Sequence, residues 1–206
     1  MQREDNLLLE DFKDNLQHGM KVSKLSSLVA REMGLDEGIC YDIAIGGLLH
    51  DIGKLELTNY LYGRNKEALD VEEMKYMRMH SKMSYDIIEP YDFSYLTLET
   101  VLYHHENYDG SGYPSNLKGE DIPIGARVIR VTDQFIALIS DRPYRAAFDK
   151  ETAVEIMIEE VKNYDMEVFI AFQRVINTYD IDKLMNDSMI DFGDGDIIAI
   201  IENGGK

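Results

Sequence analysis

The chain has 206 residues, 45% of them apolar, which is long enough to bury a sizeable core in one domain and too apolar for a disordered polymer. Its 39 acidic and 21 basic side chains give a formal charge of −18, a surface that repels duplex nucleic acid and anionic lipid. One cysteine, Cys40, excludes an internal disulfide and fits a reducing cytoplasm, and neither a signal-peptide pattern nor an apolar run of membrane length is found.

Helical periodicity dominates from the start. Over residues 5–33, Leu9, Phe12, Leu16, Leu25, Leu28, Val29 and Met33 recur at spacings near three and four, with Gly34 as the stop and a split into two helices at Gly19 as the alternative. Asp36 is the expected N-cap of a second helix through Ile43, Ala44, Leu48 and Leu49 to Gly53. Cys40 falls on it as a small apolar residue, with no basic neighbour to activate a thiolate. Asp70 and Glu73 form a capping-box-like start for a helix through Met74, Met77 and His80. Further helices are predicted over 96–105, 124–139 and 166–178, with Asp149 capping one between the last two.

The stretches 63–70 and 107–123, rich in Gly, Asn, Asp and Pro, read as loops, and Gly110 and Gly112 would supply φ values closed to other residues. No internal repeat or low-complexity tract is present. The end of the chain, with turn signals around Ile197-Ile198-Ala199-Ile200-Ile201, reads as a short hairpin. The expected fold is therefore all-α, a single helical bundle over 1–185 with an appendage over 186–206.

Chemistry concentrates in the five histidines, His18, His50, His80, His104 and His105. His104 and His105 run into the glycine-punctuated loop Glu106 to Pro114. His50 is followed by Asp51 at the end of an apolar helix, where adjacent side chains project about 100° apart and can grip neighbouring ions. Asp14 and His18 share a face at i, i+4. Asp133 is a lone carboxylate in the apolar run V-I-R-V-T-D-Q-F-I-A-L, costly to bury unless a cation or hydrogen bonds meet it. Any one of these histidines alone is more often a hydrogen-bonded interior or surface residue than a ligand, and Asp133 could pair with Arg127 or Arg130. Together, histidine and aspartate without cysteine suit iron, manganese, cobalt or zinc, and more than four candidate ligands imply two or more ions. That combination favours a polynuclear hydrolase over a structural zinc domain.

The segments His50-Asp51-Ile52-Gly53-Lys54, His104 through Gly110, Gly112 and Tyr113 to Pro114, and Ser140-Asp141-Arg142-Pro143-Tyr144-Arg145, in that order and with His80 between the first two, resemble the HD-GYP family. This is a branch of the HD-domain metal-dependent phosphohydrolases, and the similarity covers residues 14–175. The resemblance implies an HD-domain helical bundle in which His18, His50, Asp51, His80, His104, His105 and Asp133 are metal ligands. Asp14 stands where some members carry a glutamate to a third ion. It also implies two or three divalent ions, iron or manganese first, with zinc, cobalt and nickel open. The implied activity is hydrolysis of cyclic di-GMP to the linear dinucleotide or to GMP. Lys54 matches a residue near the scissile phosphate, and Tyr113, Arg142 and Arg145 match positions near the nucleotide. Two departures stand out. Where the family often reads D-x-x-D-A, this chain has Asp133-Gln134-Phe135-Ile136-Ala137, and Ser84 replaces a common glycine as a matter of packing.

The implied mechanism has Asp51 bridging two ions that activate a water, with Lys54 and the ions stabilising the charge that develops on the phosphodiester. The cations would reverse the field of an acidic protein locally, so that an anionic dinucleotide can enter. Arg142 and Arg145 could instead pair with Asp141, Asp149 or Glu151, and Tyr113 could simply pack its loop. Three functions are consistent with the sequence: a cyclic di-GMP phosphodiesterase, an HD phosphohydrolase for another nucleotide or a mixed cyclic dinucleotide, and a receptor that binds without turnover. A homodimer or regulatory signalling partners stay open, and no membrane partner is expected.

Overall fold

The computed structural model describes residues 2–56, 77–142 and 145–186, and among them it holds α-helices and short 3-10 turns with no sheet. In chain order the helices are α1 (Gln2–Glu32), α2 (Glu37–Leu49), α3 (His80–Ile88), α4 (Tyr95–Tyr103), α5 (Ile124–Leu138), α6 (Lys150–Glu159), α7 (Met166–Thr178) and α8 (Ile181–Asn186). The expected all-α class holds. The predicted helix start at Asp70 and Glu73, the loop over 63–70 and almost all of the C-terminal appendage lie outside the described residues.

Two details refine the expectation. Gly19 does not split the first segment, because α1 runs unbroken through it. A Cβ on Gly19 would sit 2.5 Å from the Leu48 carbonyl oxygen, so the glycine is there to let α2 lie against α1. Asp36 takes the N-cap position of α2 but makes no side-chain cap bond. Asp149 behaves as expected and accepts from the Thr152 amide at 2.8 Å. Ser94 and Asp165 cap α4 and α7 in the same way.

The central helix is α5, which packs against α1, α2, α4, α6 and α7. Val128, Ile129, Val131, Phe135 and Ile136 from α5 meet Val22, Leu25 and Val29 of α1 and Phe169, Phe172 and Val175 of α7, all nearly inaccessible to solvent. Cys40 lies in the same core, its thiol donating to the Leu35 carbonyl oxygen at 3.4 Å. Polar ties fix the register of the helices inside this apolar mass. The Ser26 and Thr132 hydroxyls bond at 2.7 Å between α1 and α5, and the Thr97 hydroxyl donates to Asp42 O at 3.2 Å between α4 and α2. These ties hold the α1 turn carrying His18 beside the α5 turn carrying Asp133. No helix among the described residues is long and apolar enough to cross a membrane.

The contact at Gly19 yields a test. Gly19→Ala is expected to lower stability by about 1–3 kcal/mol through overpacking against Leu48. Gly38→Ala, on the open face of α2 with nothing within 4 Å, is expected to be neutral or to stabilise by up to about 1 kcal/mol. Urea midpoints of the two variants check the pair, and equal midpoints would show that the α1–α2 approach is looser than described.

Candidate metal centre

Each helix end that reaches the centre delivers an imidazole. His50 is the C-cap of α2, His104 the C-cap of α4, and His80 the first residue of α3. In all three, Nδ1 bonds the backbone carbonyl three residues earlier: Gly47 O at 2.8 Å, Val101 O at 2.7 Å and Met77 O at 2.5 Å. A carbonyl can only accept, so Nδ1 carries the proton in each ring, and the neutral ring's lone pair lies on Nε2. The three Nε2 atoms point into one buried volume.

Asp51 occupies the middle of that volume. Its Oδ2 faces His50 Nε2 at 3.2 Å and His18 Nε2 at 3.9 Å, while its Oδ1 faces His80 Nε2 at 3.3 Å and His104 Nε2 at 3.9 Å. Asp133 Oδ1 lies 2.8 Å from His18 Nε2 and 3.7 Å from His50 Nε2. His105 closes the other side, with its Nε2 3.0 Å from that of His80. Two groups result, each with its ligand atoms within 4.8 Å of one another: His18, His50 and Asp51, and Asp51, His80, His104 and His105. Asp133 is thus not paired with Arg127, which binds Asp165 at 2.6 Å, or with Arg130, whose Nε donates to Asn107 Oδ1 at 2.8 Å.

This donor set fits divalent cations on its own chemistry. His80 Nε2 stands 3.2 Å from His104 Nε2, two lone pairs facing each other once both Nδ1 atoms carry protons. Among the described residues, His50 Nε2 and Asp51 Oδ1 are buried without a hydrogen-bond partner. A cation among these atoms satisfies all of them, whereas left alone each costs about 1–3 kcal/mol.

Charge in the two groups differs. Burial opposes a proton on His50, but the Asp51 and Asp133 carboxylates outweigh burial and hold its pKa up at about 10. Burial also disfavours charge on Asp51 and Asp133. It is overcome at Asp51 by His50 and Lys54 and at Asp133 by His18 and His50, so both stay well below the usual carboxylate range. On the other side, burial and the neighbouring imidazoles push His104 far down and His105 to about 3, and burial lowers His80 despite the Asp51 carboxylate. That side is already in the neutral form that binds metal.

Around the cluster, Lys54 Nζ donates to Asp51 Oδ2 at 2.5 Å. A cavity of about 450 Å³ opens beside it, lined by Asp14, His18, Asp51, Lys54 and Arg142 among others. Asp14 is exposed on its wall and belongs to neither ligand group. Tyr113 stacks on His105 with ring centroids 4.8 Å apart at 26°, and the Arg78 guanidinium lies 5.4 Å from the Tyr113 centroid. Arg145 is placed elsewhere. Its guanidinium donates to the carbonyls of Ala137, Leu138 and Ala146, tying off the end of α5, and it does not line the cavity.

Several contributors escaped the sequence reading. Ser84 does more than pack, because its buried hydroxyl accepts from the Gly53 amide at 2.9 Å and so pins the turn after Asp51. Gly110 has the expected positive φ of 85°, but Gly112 does not; a Cβ there would lie 2.2 Å from the Asn107 amide, so it provides room for the loop to fold back. Glu106, buried beside the histidine pair, accepts from the Ser115 amide at 2.6 Å and closes the same loop. A buried carboxylate directly after two histidines was the available signal.

A family model described as HD domain matches residues 5–168, so the chain belongs to the HD-domain family. A cyclic di-GMP phosphodiesterase of Thermotoga maritima is 35% identical over 173 residues, which make up 82% of this chain and 47% of that protein. The 3′3′-cGAMP-specific phosphodiesterase 3 of Vibrio cholerae is 33% identical over 163 residues, 78% of this chain and 35% of that protein. The solved structure of an HDG"Y"P protein from Bdellovibrio bacteriovorus shares the fold with a TM-score of 0.63 at 20% identity, covering 79% of this chain and 52% of that one. The chain therefore spans about half the length of the curated relatives it matches, or less.

The asymmetry of charge leads to a prediction. At pH 7 the proton on His50, whose pKa is about 10, must leave when a cation binds, whereas His104 and His105 have none to give. Loading the metal-free chain with manganese is expected to release about one proton at pH 7, with affinity rising as pH increases toward 10. Calorimetry in buffers of different ionisation enthalpy measures this, and release of three or more protons would contradict the assigned charges.

Proposed function

We propose that this chain hydrolyses a phosphodiester bond of a cyclic dinucleotide, with cyclic di-GMP the first candidate and the linear dinucleotide or GMP as product. The observation that carries the reading is the placement of Asp51, whose two oxygens face two separate sets of imidazoles. One shared carboxylate between two ligand groups is what a two-ion site for in-line displacement needs. The names of the relatives at 33–35% identity support the same substrate class.

His18, His50, Asp51 and Asp133 would hold one ion, and Asp51, His80, His104 and His105 the other, with iron or manganese expected. Bound there, divalent ions supply Lewis-acid charge to a phosphoryl oxygen and lower the pKa of a water nucleophile. The chain's own residues do the rest. Lys54, tethered to Asp51 and lining the cavity, places an ammonium where charge develops on the non-bridging oxygens. Arg142, on the same cavity wall, makes no side-chain hydrogen bond or ion pair with the described residues and is suited to meet phosphate. Tyr113, with its ring against His105, holds that imidazole in orientation from the outside. Asp14 is placed to add a carboxylate from the solvent side of the same cavity.

A mixed cyclic dinucleotide is the second reading, favoured by the similarity to a 3′3′-cGAMP-specific enzyme. Both are decided by one experiment. Protein loaded anaerobically with ferrous ion or manganese is offered cyclic di-GMP and 3′3′-cGAMP, and the products are separated by chromatography. Asp51→Asn is expected to lower turnover by roughly 10³-fold or more, and Lys54→Met by roughly 10²-fold. Tight binding of either nucleotide with no product from the metal-loaded protein would replace the hydrolase with a receptor.

A further inference from the structure

A cyclic dinucleotide carries two phosphates, and the metal ligands serve only one of them. The second phosphate also has to enter a cavity bordered by Asp14, Asp51 and Asp141 in a chain of formal charge −18. Left without a cation there, it would meet mainly like charge.

Three cationic side chains besides the histidines line that cavity: Lys21, Lys54 and Arg142. Lys54 is bound to the carboxylate shared by the ligand groups. Lys21 is differently placed. It lies on α1 three residues after His18, is only partly exposed, and makes no hydrogen bond or ion pair with the described residues. It also lines a second cavity, of about 680 Å³, that shares Lys21, Ile139 and Ser140 with the first. None of the metal-ligand candidates lines this second cavity. Its other walls carry Asp149, Glu151, Asp180 and Asp182 against one further cation, Lys150, which lies 3.7 Å from Glu151. A partly buried ammonium with no partner among the described residues therefore stands at the boundary between the ligand cluster and the second cavity.

We infer that Lys21 is a specificity-determining residue that binds the phosphate not undergoing cleavage. This rests on the proposed cyclic dinucleotide substrate and adds the group that separates such a substrate from a simple phosphodiester. Lys21 is outside both ligand groups, so its contribution goes to substrate binding and leaves the chemical step unchanged.

The test compares two substrates on manganese-loaded protein: cyclic di-GMP, with two phosphates, and bis(p-nitrophenyl) phosphate, with one. Lys21→Ala is expected to lower kcat/KM for cyclic di-GMP roughly 10- to 100-fold, mainly through KM, the range for loss of a hydrogen bond to a charged group. On bis(p-nitrophenyl) phosphate it is expected to stay within about two-fold of the parent, and Lys21→Arg is expected to restore most of the cyclic di-GMP activity. Equal losses on both substrates, or no loss on cyclic di-GMP, would overturn the assignment. If the parent protein cleaves neither substrate, the hydrolase reading fails separately. Calorimetric titration of cyclic di-GMP into parent and Lys21→Ala then decides the role of Lys21, with unchanged affinity counting against it.

Discussion

Four imidazoles converge on the two oxygens of one buried carboxylate, and the rest of the architecture follows from that convergence. Asp51 lies where α2 has just ended, so the backbone can turn and present its side chain between histidines delivered by α1, α2, α3 and α4. The arrangement is expensive without a cation. His104 is fully buried, its Nδ1 is committed to the Val101 carbonyl, and its Nε2 faces the Nε2 of His80 at 3.2 Å. Such a set persists in a folded chain because the surrounding packing over-determines it. Here the over-determination is visible in the Ser26–Thr132 bond, the Thr97–Asp42 bond and the approach of α2 to Gly19.

The cations of the chain are divided between architecture and site. Arg127 binds Asp165 at the start of α7, Arg130 binds Asn107 at the start of the glycine loop, and Arg145 ties off the end of α5. Each joins segments that flank the ligand cluster without reaching into it. Lys54 and Arg142 remain on the cavity wall with Lys21, three of the 21 basic side chains of the chain. Acidic character elsewhere keeps the surface solvated and unattractive to extended polyanions.

Much of the fold was legible from helical periodicity, strongest in the amphipathic α5 and α7. The segments predicted over 96–105, 124–139 and 166–178 each fall within a residue or two of an observed helix, since one face of each must be buried. The alternative split at Gly19 fails for a physical reason. A glycine in a helical run signals a break only through its intrinsic propensity, and the gain from packing α2 directly on the α1 backbone outweighs that. At the site, the residue types were informative but their convergence was not, because His18 and Asp133 are 115 positions apart and meet only through tertiary structure. The assignment of each histidine rested on family resemblance, and the geometry supplies a physical reason for it. What the sequence could not reveal were the backbone carbonyls that fix the imidazole tautomers, the hydroxyl of Ser84 on the Gly53 amide, and the commitment of Arg145 to helix carbonyls. Each depends on a partner with no sequence signature.

The replacement of the family's second carboxylate by Ile136 can be weighed on the same terms. Ile136 is wholly buried in the apolar core, where a carboxylate would need a partner of its own. Lys54 nonetheless has an anchor, because its ammonium bonds the Oδ2 of Asp51. The consequence is coupling. Oδ2 is also the oxygen that faces His18 and His50, so the ammonium and any cation in that group draw on the same lone pairs. A separate carboxylate would keep the lysine's position independent of metal loading. In this chain the two would be linked through one atom, so that a cation bound beside Asp51 and the Lys54 ammonium would compete for the same oxygen.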